Sequence, residues 1–244
     1  MKSLNIIKNP LFLSFALPGL YLLFGTIYAT PYSSINLFSF FVFYLYLILN
    51  QTIESKMRRY FILKKDALIN QYWLTEFLIL MCLSYFMLVH SLTAGLLLFS
   101  YTLFAQGKYL SIYYKLDLLS IILLPLLKTF LLNSFSFYIH TGFIPNQVLY
   151  IVVPLLIPAF LLEATSWQEI RSKRLMLALL IMTYFVTLMM TWPHYAWWSL
   201  ISLISMVTVP ILWKHPSYKT TLFFVFCFSA NYLILITIGT LFIH

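Results

Sequence analysis

Nine stretches of this chain, at about 11–29, 35–50, 73–89, 91–106, 117–136, 147–165, 175–191, 195–212 and 221–243, are almost uninterrupted in apolar residues. Hydrocarbon offers no water to backbone N–H and C=O groups, so a segment that crosses it must close its own hydrogen bonds, as a helix of about 20 apolar residues does. The stretches therefore predict an all-α polytopic membrane protein with about nine transmembrane helices, forming a single transmembrane domain over residues 1–244. Composition agrees, with 62% hydrophobic and 9% charged residues and a mean hydropathy of +0.93. A soluble domain carries about 25% charged residues.

The charges predict orientation. With the amino terminus inside, every Lys and Arg except Lys128 falls outside the spans on the inner side, and none on the outer side. This is the asymmetry that cytoplasmic loops show, and it places the carboxyl terminus outside and the protein in a bacterial cytoplasmic membrane. Tryptophans repeat the pattern, with Trp73, Trp167 and Trp213 at inner ends and Trp192, Trp197 and Trp198 at outer ends. The net charge of +9 then reads as loop charge facing anionic membrane lipids, with no nucleic-acid partner. The first run follows Lys2 and Lys8 without a small-residue cleavage motif, so it reads as the first helix and not as a removed signal.

Several chemistries lack their residues. The chain has no Walker A loop, His-Glu-x-x-His, Cys-x-x-Cys, Gly-x-Ser-x-Gly or dinucleotide glycine fingerprint, and Cys82 and Cys227 both sit inside apolar runs. Polar residues gather instead at the inner face. The loop after span two, about 51–72, reads Glu54-Ser-Lys-Met-Arg58-Arg59, and the loop after span six reads Glu169-Ile-Arg-Ser-Lys173-Arg174. Both have the form Glu-x-x-x-basic-Arg, four helices apart, which implies two pseudo-repeated four-helix halves plus a last helix. Near these loops lie Asn50, Lys65, Glu76, Lys115, Glu163 and Arg171. Carboxylates and amides beside Arg and Lys suit a magnesium-bridged diphosphate: oxygen ligands hold the cation, and guanidinium and ammonium groups meet the phosphate oxygens. Lys128, inside span five, either neutralises an acid in a cavity or snorkels along the helix.

This layout resembles the UbiA superfamily of intramembrane prenyltransferases, whose nine helices carry acidic motifs on the cytoplasmic loops after helices two and six. The family's first motif is Asn-Asp-x-x-Asp-x-x-x-Asp, and the same spacing here reads Asn50-Gln51-Thr52-Ile53-Glu54-Ser55-Lys56-Met57-Arg58, which keeps the Asn and none of the Asp. Lys65-Asp66-Ala67-Leu68-Ile69-Asn70 is loosely similar to its Arg-Pro-Leu-x-x-Gly segment, and Tyr114-Lys115-Leu116 resembles its Tyr-x-x-Leu-Lys element. For the second acidic run only Glu163 and Glu169 are available.

The resemblance implies transfer of a prenyl group from a polyprenyl diphosphate to a membrane-accessible lipidic or aromatic acceptor, with Mg²⁺ as cofactor. It assigns Asn50, Glu54, Glu163 and Glu169 to the metal and to catalysis, and Arg58, Lys65, Lys115, Arg171 and Lys173 to the diphosphate. The alternatives are a catalytically silent relative that binds an isoprenoid lipid or a partner protein, and a small permease or exporter subunit.

Overall fold

The structure is a computed structural model that describes the backbone of residues 10–61, 69–113, 117–166 and 173–242, and the side chains of 15–57, 60–61, 72–108, 122–165 and 173–240. The described residues are all-helical, without strands. The helices are α1 (Pro10–Ala29), α2 (Leu37–Phe61), α3 (Ile69–Val89), α4 (Leu92–Tyr113), α5 (Asp117–Leu126), α6 (Leu132–Thr141), α7 (Asn146–Val152), α8 (Leu156–Ser166), α9 (Lys173–Tyr195), α10 (Val209–Lys214) and α11 (Tyr218–Phe242). A π-helical turn, Leu127–Leu131, joins α5 to α6, and 3₁₀ segments Val153–Leu155 and Ala196–Thr208 join α7 to α8 and α9 to α10. Six described segments are long and apolar enough to cross a membrane: Leu37–Met57, Tyr72–Val89, Ile122–Thr141, Asn146–Thr165, Lys173–Lys214 and Tyr218–Thr240. Phe15–Ala29 is a shorter apolar helix. The chain divides into two units, one of Met1–Ile35 with Pro125–His244 and one of Asn36–Leu124.

The second unit packs α2, α3 and α4 against one another. Local chemistry sets where these helices start. Asn36 Oδ1 accepts the Ser39 N–H at 3.1 Å and Ser91 Oγ accepts the Ala94 N–H at 3.1 Å, each satisfying a first-turn donor that the helix leaves open. At the same end, Ser39 Oγ lies 2.8 Å from Tyr85 OH and 3.1 Å from His90 Nε2. At the other end α2 continues to Phe61, so the expected loop begins in helix. Residues 51–61 contain no Gly or Pro, and Glu54 stands four residues before Arg58, a spacing that favours helix.

In the first unit α1 packs against both α6 and α11. Gly25 permits the first contact: a Cβ there would meet the Asn133 carbonyl oxygen at 2.4 Å and the Phe137 nitrogen at 2.6 Å. Small residues at a membrane interface let backbones approach in this way. Thr26 Oγ1 lies 3.3 Å from Ser136 Oγ and 3.1 Å from His140 Nε2, a polar seam along the same contact. The core centres on α11, where Phe228 and Tyr232 stack at 6.2 Å and Phe24 meets Tyr232 at 5.6 Å. Tyr232 OH donates to the Ile151 carbonyl at 2.6 Å. That carbonyl lies just before the 3₁₀ turn at Pro154, where the tighter turn no longer supplies the usual partner four residues on.

The 42-residue apolar segment Lys173–Lys214 folds back on itself. Tyr184 OH and Ser205 Oγ are 2.9 Å apart, with the turn midway at Tyr195–Ala196, where Ala196 has φ +44°. The two arms match the runs at 175–191 and 195–212. The return arm is 3₁₀ for 13 residues, whereas such helices rarely pass three or four. Its sequence explains the geometry, because Ser199, Ser202, Ser205 and Thr208 recur every third residue and all are buried on one face. The last three donate to the carbonyl three residues back at 2.7–2.9 Å. A rise of about 2 Å per residue also takes these few residues most of the way across a hydrocarbon core of about 30 Å. The opposing face of α9 carries buried Thr183, Thr187 and Thr191, each bonded four residues back.

Two substitutions test these contacts through the thermal unfolding midpoint of the detergent-purified protein. Ala196→Gly removes a Cβ from the left-handed region and should stabilise by about 1 kcal/mol. Gly25→Val should lower the midpoint sharply, because backbone atoms of α6 occupy the space.

Candidate functional site

The described candidate residues of the second unit, Asn50 and Glu54, lie on α2, whose Tyr46 and Glu54 meet α4. Tyr46 OH donates to the Leu98 carbonyl at 2.6 Å and is 2.8 Å from Thr102 Oγ1. One turn on, Asn50 is 2% exposed; its Nδ2 donates to the Tyr46 carbonyl at 3.0 Å, and its Oδ1 is buried without a hydrogen-bond partner. One turn further, Glu54 Oε1 accepts from Lys108 Nζ in a salt bridge whose side chains are 16% and 3% exposed. Burial of a charge in a low-dielectric setting is costly unless it is paired, so each of these two residues is the condition for the other's position. Lys108 was not among the residues expected at the site. Its signal was present in the sequence, a cation just past an apolar run, but only the packing of α4 on α2 brings it to Glu54.

In the first unit Glu163, on α8, is 3% exposed, and its Oε1 accepts from Lys128 Nζ at 2.5 Å. Of the two readings of Lys128, neutraliser of an acid or snorkelling side chain, the contact supports the first. Lys128 lies in the π-turn, a form that recurs at functional positions. Asn133 mends the helix there, its Nδ2 donating to the Thr129 carbonyl at 2.6 Å and reaching the Lys128 carbonyl at 3.4 Å. Tyr21 of α1 lies within electrostatic range of both Lys128 and Glu163. Lys173 is exposed at the start of α9, with its ammonium 5.9 Å from the ring centre of Trp213. This is a cation–π contact, which leaves the ammonium accessible to an anion.

Of the remaining expected residues, Lys65, Lys115, Glu169 and Arg171 lie outside the described residues, as does the side chain of Arg58. Burial also suggests another register for the repeat. Asn50 and Glu163 are the buried polar residues near the ends of α2 and α8. Aligning them pairs Thr52 with Thr165, which both donate to the carbonyl four residues back, and Arg58 with Arg171. This register is offset by two residues from the one that pairs Glu54 with Glu169.

The described residues fit a magnesium site poorly. Mg²⁺ seeks a nearly octahedral set of oxygen ligands. Among the described members of the expected set, Glu54 and Glu163 each hold a lysine ammonium, and the amide oxygen of Asn50 is buried without a hydrogen-bond partner. No group of three or more His, Cys, Asp or Glu that could hold a metal occurs among the described residues. The arrangement can instead give each of two acids a counter-charge within the chain.

Lys128→Met should destabilise the protein by about 3–5 kcal/mol, because the buried Glu163 loses the ammonium that balances its charge. The double variant Lys128→Met with Glu163→Gln should recover most of that loss. The thermal midpoints of the four proteins in the double-mutant cycle measure both effects.

No protein-family model, curated protein or solved structure matches the chain, so its function is argued from its own residues.

Proposed function

We propose that this is a polytopic protein of the bacterial cytoplasmic membrane that binds an isoprenoid lipid on a UbiA-like layout without metal-dependent turnover. The nine spans, inner amino terminus and outer carboxyl terminus belong to the same proposal and rest on the apolar runs and the one-sided distribution of cations. The observation that carries the functional reading is the pairing of Glu54 with Lys108 and of Glu163 with Lys128. In the family pattern, acids at these places carry metal ions that bridge to a diphosphate. Lysine can neutralise an acid, but as a single charge with hydrogen-bond donors it cannot offer the shared coordination by which a divalent ion draws a leaving diphosphate away. With these two acids already balanced, Arg58, Lys65, Lys115, Arg171 and Lys173 are the cations that would meet an anionic head group at the cytoplasmic face.

A second reading, prenyl transfer from a polyprenyl diphosphate to a lipidic or aromatic acceptor with Mg²⁺, is favoured by Asn50. It is the residue that the family motif keeps, and its buried oxygen has no protein partner.

Incubation of the purified protein with labelled prenyl diphosphates of several lengths, with Mg²⁺ or with EDTA, separates the two. Binding that survives EDTA, with no diphosphate released, is the expected result. Mg²⁺-dependent release of diphosphate would establish the transferase instead, and no binding in either condition would remove the isoprenoid reading.

A further inference from the structure

The 3₁₀ arm of the first unit has a second regular face. Its buried hydroxyls recur every third residue, and so do exposed apolar residues, Ile204 and Val207 on the arm and Pro210 and Trp213 on α10. Side chains three apart eclipse one another in a 3₁₀ helix, so the row runs straight along the arm instead of winding around it. Val207, in the middle, is 77% exposed. The row ends at a cation, because the folding back of Lys173–Lys214 returns the end of α10 to the start of α9, where Lys173 Nζ lies 5.9 Å from the centre of the Trp213 ring. Lys214 follows in sequence. Lys219 stands across a short turn that its own hydrogen bonds hold: Thr220 Oγ1 donates to the His215 carbonyl at 2.6 Å, and the Ser217 N–H donates to Thr220 Oγ1 at 3.0 Å. Lys173, Lys214 and Lys219 are all exposed. The unit has two acidic side chains, Glu163, which holds Lys128, and Glu169, which lies outside the described residues. Among the described residues no carboxylate pairs with any of the three lysines.

We propose that this end of the first unit binds one anionic glycerophospholipid, with its phosphodiester against Lys173, Lys214 and Lys219 and one acyl chain along the row from Trp213 to Ile204. The layout is that of an amphiphile: a straight apolar track leads to an aromatic ring and then to ammonium groups that lack a counter-charge. Lysine is a compact cation with three rotatable donors, which suits a tetrahedral phosphate approached from several sides. The indole face attracts the Lys173 ammonium and so fixes one of the three cations beside the track. Basic groups gathered between helix ends at a membrane surface are suited to anionic lipid heads, and each adds a similar increment of attraction. The site shares Lys173 with the isoprenoid reading but does not rest on it, since a glycerophospholipid needs neither a diphosphate nor Mg²⁺.

The test titrates the detergent-purified full chain, in EDTA, with dioleoylphosphatidylglycerol and separately with dioleoylphosphatidylcholine, and counts bound lipid by native mass spectrometry. Both lipids carry a phosphodiester, and only the first is net negative. The expected result is one phosphatidylglycerol bound saturably, with phosphatidylcholine several times weaker. Lys173→Gln and Lys214→Gln should each weaken phosphatidylglycerol binding roughly fivefold. Lys173→Arg should retain it, and Lys8→Gln, which removes the same charge near the amino terminus, should leave it unchanged. Trp213→Leu, which keeps the row apolar but loses the ring, should weaken it; should that variant not fold, the lysine variants decide. Equal binding of the two lipids overturns the proposal. So does equal weakening by Lys8→Gln and Lys173→Gln, which would reveal a diffuse surface field. Glycerol phosphate, a head without a chain, should not displace the lipid, and displacement at matching concentration would reveal a free-phosphate site and overturn the lipid reading. No prenyl diphosphate or Mg²⁺ is present, so these outcomes are separate from those of the diphosphate assay.

Discussion

Inside a bilayer a polar group that loses its partner cannot turn to water, so each charge and each break in a helix must be answered by another part of the same chain. Much of this structure consists of such answers. The Lys128 ammonium is met by Glu163 and Glu54 by Lys108. The π-turn at Leu127–Leu131 is mended by the Asn133 amide, and the 3₁₀ turn at Pro154 by the Tyr232 hydroxyl. The long 3₁₀ arm brings its own solution, with a hydroxyl on every third residue bonded to the preceding turn.

The same constraint shapes the functional reading. Glu54 and Glu163, the two described acids expected to hold metal, each meet a lysine ammonium, so their charge is balanced within the chain. Among the described cations of the expected set, Lys173 lies exposed against Trp213, with its ammonium accessible to an anion.

Much of the fold was legible because transfer out of water acts on every residue of a span and leaves long apolar runs. Those runs foretold the all-helical character of the described residues, six of whose segments are long and apolar enough to cross a membrane, and they separate the two arms of Lys173–Lys214, which length and hydropathy alone merge. Less legible was the extension of α2 to Phe61, where polar composition suggested a loop although helix propensity did not oppose helix. The 3₁₀ arm was written in the period of Ser199, Ser202, Ser205 and Thr208, a signal hidden beneath the apolar pattern. Asn50, Glu54 and Glu163 were singled out by their place in the polar cluster expected at the inner face and by the motif spacing, but Lys108 was not, because nothing local marks it as the partner of Glu54.

The sequence by itself determined that the chain lives in membrane as helices, since that follows from composition summed along each run, and it marked where polar residues are concentrated. Only the tertiary structure decided which polar residues meet. Glu54 and Lys108 are 54 residues apart, and Lys128 and Glu163 are 35 apart. A buried charge requires some counter-charge, but which one it receives depends on the faces and levels at which helices pack. That choice joined Glu54 to Lys108 and Glu163 to Lys128, and it buried the Asn50 amide oxygen without a hydrogen-bond partner.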